Sequence, residues 1–177
     1  MNEKTTMSLF NLGKLLVRNN IPHGLLTQAN SSLITHGRSK CANFFINNTD
    51  HEYLFFLDSD IGFNPEDVLR LLSHNENIVS GTYPMKTIPI RYCVDVLQPE
   101  ERKGDLLKVG GNGMGFVMIR RNVFADIAQK FPYLKYIPST KDSNYPPTEK
   151  EMNNSYHYFA EEKIDDSFAS EDKSFFY

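Results

Sequence analysis

The chain has 177 residues, 40% hydrophobic and 23% charged, a balance that supports a folded core and excludes both wholesale disorder and fibrous structure. Its formal net charge is -3 and its lysines and arginines are scattered, which excludes the concentrated basic face needed to wrap a nucleic-acid backbone. The two cysteines, Cys41 and Cys93, lack CxxC spacing, which argues against a disulfide framework or a cysteine zinc site.

Residues 5–19 place Leu9, Leu12, Leu15 and Leu16 at helical spacing, and Asn19-Asn20 followed by Pro22 supplies a stop. A second helix is predicted over 32–47, with Ile34, Cys41, Phe44 and Phe45 on one face. The run Tyr53-Leu54-Phe55-Phe56-Leu57 is lipophilic without alternation, the pattern of a strand covered on both faces, as in a parallel sheet. It should be central. After the DSDIGF turn, Asn64 is placed to cap a helix, with Pro65 at its first position and Asp67 at its third. Strands are expected at 78–79, 90–96 and 116–119, with a glycine-rich turn before the last and a helix over 122–130. Residues 132–154, rich in proline and polar residues, read as a long loop. Strands alternating with helices argue for one α/β domain over residues 1–177.

No stretch is apolar enough to span a bilayer, and the opening MNEKTTMSLF lacks the apolar core of a signal peptide. With the cysteine usage, this predicts a soluble cytoplasmic protein without a transmembrane segment.

The strongest chemical feature is Asp58-Ser59-Asp60 at the end of the lipophilic strand, the edge where open α/β sheets bind ligands. Two carboxylates so close repel each other, and a hard divalent cation, Mn²⁺ or Mg²⁺, is the natural partner. The competing reading makes both aspartates simple turn residues, but Asn64 already stands at the cap position. A calcium loop of the EF-hand kind is excluded, because its sixth position is Phe63 and its twelfth is Leu69. The stretch 110–115 is glycine-dense without the context of a dinucleotide fingerprint. Gly113 and Gly115 there allow either close backbone approach beside a ligand or a tight strand connection. The five histidines show no metal spacing.

Four ordered segments carry a resemblance: NSSLITHGRSKCANFF, LFFLDSDIGFNPEDVLRLL with IVSGTYPMK, GGNGMGFVMIRRNVF, and SEDKSFFY. Together they resemble the DxD-containing, family 2-like glycosyltransferases with the GT-A fold found in bacteria, phages and large viruses. The resemblance implies a Rossmann-like, mixed and mostly parallel central sheet flanked by helices. It implies that Asp58 and Asp60, spaced by Ser59, hold the metal and the donor diphosphate, and that Arg38 contacts the nucleotide. Lys86 is the candidate for a phosphate or acceptor contact, with a plain surface lysine as the competing reading. The resemblance further implies Asp172 as the base taking the acceptor hydroxyl proton, with Glu171 orienting a hydroxyl and with inversion at the anomeric carbon. The implied donor is a UDP- or GDP-sugar, and the implied acceptor is a glycan or protein hydroxyl.

Members of that group begin with a strand that this chain lacks and continue past the ED motif to a metal-binding histidine. A chain truncated at both ends is the resulting expectation, and a sheet missing its first strand would expose an edge and favour homo-oligomers. A non-catalytic metal- and sugar-nucleotide-binding module, or a nucleotidyltransferase, are the alternative functions.

Overall fold

The computed structural model describes residues 2–28, 31, 33–139, 146–161, 163–164, 167–168 and 175. Contacts divide the chain into two compact units, one of Met1–Pro22, Phe55–Ile119 and Phe176–Tyr177, the other of His23–Leu54 and Arg120–Phe175.

The first unit opens with helix α1, Glu3–Arg18. Asn2 caps it, its side chain accepting hydrogen bonds from Thr5 N at 2.8 Å and Thr5 Oγ1 at 2.7 Å. Helix α1 packs against α3, Pro65–His74, burying Leu12 on one helix and Val68 and Leu71 on the other. The Asn64 side chain makes no capping bond. That helix starts instead on Pro65, preset for helical φ, with Glu66 and Asp67 meeting the positive end of the helix dipole. It ends at Asn75, a left-handed C-cap at φ 56°.

Strands β1, Tyr53–Leu57, β2, Ile78–Ser80, and β7, Phe116–Arg120, form a three-stranded sheet in the order β1-β7-β2. Among the described residues the expected Rossmann-like, mostly parallel central sheet of a GT-A fold is not found. Strand β2 pairs antiparallel with β7, Val79 opposite Met118. Strand β1 also runs against β7, since Asp58 N bonds Gly115 O at one end and Arg121 N bonds Glu52 O at the other. Every described pair of neighbouring strands is antiparallel.

The physical reason lies in the connection. Strand β1, α3 and β2 do make the crossover that the sequence announces. After β2, however, the chain makes an excursion and returns at the same edge, so that Gly81 N bonds Phe116 O. A strand that returns at the end where its predecessor left pairs antiparallel, and this one inserts between the two strands of the crossover. Strand β7 therefore takes the central, most buried place, with Val117 and Ile119 fully enclosed. The unalternating apolar run of β1 reports cover on its two faces and says nothing about strand direction. The rings of Phe55, Phe63 and Phe116 close one face, with Phe55 edge-on to Phe116 at 4.9 Å.

The excursion holds β3, Val94–Val96, paired with β6, Val109–Asn112, and a tight hairpin of β4, Arg102–Lys103, and β5, Leu106–Leu107. Gly104 turns that hairpin at φ 59°.

The second unit is built on α2, Ile34–Asn48, and α4, Arg121–Lys130. Phe45 meets Phe124 edge-on, and Tyr158 and Phe175 add to the same aromatic core. The stretch 132–154, predicted as loop, contains strand β8, Lys135–Tyr136, and helix α5, Glu149–Asn153, with a full capping box from Thr148 and Glu151; strand β9, Ser155–Tyr156, follows directly. Strands β8 and β9 pair, as do β10, Lys163–Ile164, and β11, Ser167–Phe168. Asn43 of α2 clasps β9, donating to Tyr156 O at 3.0 Å and accepting from Tyr156 N at 2.9 Å. One turn on, Asn47 exchanges bonds with Asn154. Arg121 donates to the carbonyls of Phe45, Ile46, Thr49 and His51, closing the carboxyl end of α2.

No helix among the described residues is long and apolar enough to cross a membrane.

Candidate functional site

The turn after β1 is held by backbone on two sides. On one, Asp58 N donates to Gly115 O at 3.0 Å. On the other, Asn2 N donates to Ser59 O at 2.9 Å and Asn2 Nδ2 to Asp60 O at 3.0 Å. One asparagine thus caps α1 and fastens the acidic turn. Ile61 N closes the turn onto Asp58 O at 3.2 Å.

The glycines are required by close approach. A Cβ on Gly115 would lie 2.8 Å from Asp58 Oδ2, 2.8 Å from the Tyr83 hydroxyl and 2.7 Å from Ile61 Cδ1. One on Gly113 would collide with the Tyr83 hydroxyl and with Cys93 Sγ. The Tyr83 hydroxyl accepts the Gly115 N–H at 3.1 Å, so tyrosine, glycine backbone and aspartate form one packed group. Tyr83 escapes the sequence reading because a tyrosine in GTYP looks like turn filler. Its only signal is the pair of glycines that make room for it.

Asp60 points outward, its side chain about half exposed, and receives Lys86 Nζ at 2.5 Å. The hydrogen bond from Lys86, aided by its charge, holds the Asp60 carboxyl below the ordinary carboxylate range, and Asp60 in turn raises the Lys86 ammonium. Because both groups face water, the pair adds little to stability. It sets charge state instead. Ser59 is exposed and serves as spacer.

An open cleft of about 460 Å³ adjoins this turn, bounded by Phe63, Asp67, Arg70, Tyr83 and Asp105. Arg70 is tied to Asp105 at 2.9 Å. Among the described residues no group of three His, Cys, Asp or Glu side chains converges as a metal cage.

The structure therefore groups Asp58, Gly113 and Gly115 and joins Asp60 to Lys86. Arg38 is buried on α2 in the second unit. Glu171 and Asp172 lie outside the described residues. Cys41 and Cys93 are both free thiols, and burial pushes the Cys41 thiol up to about 11.

No protein-family model and no curated protein matches the chain. Among solved structures it is similar to one described as "Crystal Structure of A197 from STIV", at 26% identity over 66% of this chain, with a TM-score of 0.44. The chain spans about 60% of the length of that protein, and a likeness this low bears on neither fold nor function.

Proposed function

We propose that this chain is a metal-dependent glycosyltransferase that moves a sugar from a UDP- or GDP-linked donor to a hydroxyl of a glycan or protein acceptor. The observation that carries the reading is the turn after β1. It presents two aspartates on a backbone fixed from both sides, one packed against glycine main chain and the other exposed beside a lysine. Two preset carboxylates at a strand end suit a hard divalent cation, which in turn takes the oxygens of a diphosphate group, and the four-segment resemblance in the sequence supports the same chemistry.

Asp58 and Asp60 are the residues that would hold Mn²⁺ or Mg²⁺. Such hard cations take one or two carboxylates and complete their shell with phosphate oxygens and water, so a pair without a third protein ligand fits. When bound, the ion supplies charge compensation for the departing diphosphate. With an ion on Asp60, Lys86 would be placed to meet a phosphate oxygen of the donor. Gly113 and Gly115 act behind the turn, where their lack of a side chain lets Tyr83, Cys93 and Asp58 pack against the backbone that holds the acidic pair. On the resemblance, Arg38 contacts the nucleotide and Glu171 orients a hydroxyl. Asp172 removes the acceptor hydroxyl proton as that oxygen bonds the anomeric carbon and the bond to diphosphate breaks, with inversion. The free thiols fit a reducing cytoplasm.

The test is donor hydrolysis or transfer with Mn²⁺, comparing wild type with Asp58→Ala and Asp60→Ala. Losses of about a hundredfold or more are expected in both variants, and equal turnover in all three removes the assignment.

The Lys86–Asp60 pair favours one second reading, a non-catalytic sugar-nucleotide-binding module, because the acidic turn is already compensated without an ion. Calorimetry showing metal-dependent nucleoside-diphosphate binding, with no turnover on long incubation, selects it.

A further inference from the structure

Between Tyr83 and Cys93 the chain folds back on itself as a projecting hairpin. Cys93 N bonds Tyr83 O at 3.1 Å, Pro84 bridges Tyr92, and Met85 N bonds Arg91 O at 2.7 Å. Every residue from 84 to 92 is exposed. Ile88 at the tip is fully so, Ile90 is 71% exposed, and Tyr92 and Met85 are each about half exposed.

Single exposed hydrophobes are ordinary on a protein surface, but a contiguous cluster marks an interaction site. Here four large apolar side chains crowd one short hairpin. Its charge is also distinctive: residues 84–94 contain no aspartate or glutamate and carry Lys86 and Arg91, in a chain whose net charge is -3. Lys86 is shared with Asp60, which leaves the Arg91 charge to the surroundings.

We propose that this hairpin docks the protein on an anionic membrane surface, inserting Ile88 and Ile90 at the boundary of headgroups and acyl chains. Two observations select a bilayer over a protein partner. A hairpin tip with Ile88 wholly in water and Ile90 71% exposed suits a fluid surface that closes around apolar side chains, whereas a rigid partner must offer a matching hollow. The flanking residues are those that favour the headgroup level, an arginine that pairs with lipid phosphate and a tyrosine with an apolar body and a polar end. Anchoring of this kind needs no spanning helix, and it stands apart from the glycosyltransferase reading.

The experiment is sedimentation of the full chain with vesicles of phosphatidylcholine containing about one third phosphatidylserine, against vesicles of phosphatidylcholine alone. Binding about tenfold tighter to the anionic vesicles, weakening as salt is raised, is expected. The double variant Ile88→Asp/Ile90→Asp should lose about tenfold or more of that binding with an unchanged melting curve, and Arg91→Glu severalfold. Ile88→Ser/Ile90→Ser serves the same purpose should the acidic variant fold poorly. The proposal is overturned by wild type that ignores anionic vesicles, or by a folded tip variant that binds as wild type does. Lipid-free association between copies that the tip variant abolishes overturns it as well, by assigning the tip to a second copy of the chain.

Discussion

The two units order their backbones by different means. In the first, main chain chiefly holds main chain, with single bonds added by the Asn2 side chain and the Tyr83 hydroxyl: β7 is bonded on both edges, and the Asp58 turn hangs between Gly115 and the start of α1. In the second, side chains hold main chain. Asn43 and Asn47 take up backbone at 154–156, while Arg121 gathers four carbonyls where α2 ends. A unit of the first kind is sensitive to added volume, and one of the second kind to the loss of a single polar group.

Arg121→Met is the strongest way to break the contrast, because it leaves carbonyls at the end of α2 without their charge-assisted donor. A loss of about 3 kcal/mol, read from the urea unfolding midpoint, is expected. Gly115→Ala tests the opposite sensitivity. One methyl placed against Asp58, Tyr83 and Ile61 should cost about 2 kcal/mol through overpacking, and the pairing Gly115→Ala/Tyr83→Phe should recover part of it by removing the hydroxyl in the way.

The smallest effect sharpens the picture at the surface. Lys86→Met should leave the melting temperature unchanged while the Asp60 carboxyl, followed by NMR titration, moves up toward the usual carboxylate range. The sign follows from the depressed value: the Asp60–Lys86 attraction is complete above the ordinary aspartate range and is lost as pH falls through the lowered folded value. The variant removes that attraction, so Asp60 takes up its proton at higher pH than in the wild type.

The same contrast explains what the sequence made legible. The lipophilic run 53–57 and Pro65 at the start of α3 are local signals, and the strand and helix stand where they predict. The direction of the sheet was not legible, because it depends on the return of β7 between two strands already read as neighbours. The roles of Asn43 and Asn47 were not legible, since nothing local reveals that backbone more than a hundred residues later will use them. The acidic turn was legible as a location. Its fastening by Asn2 and its packing on Tyr83 were not, as both partners come from distant segments.

The central place of β7 also governs the order of assembly during synthesis. Strands β1 and β2 leave the ribosome well before 116–120, and until those residues arrive neither has its partner in the sheet. The nascent chain therefore carries the adhesive run YLFFL unpaired for the whole length of the excursion, a template for pairing with other chains. Closure through widely separated contacts is slow. Translation speed across 81–115, and chaperones able to shield one short lipophilic strand in that interval, would then decide how much of the protein reaches its folded form.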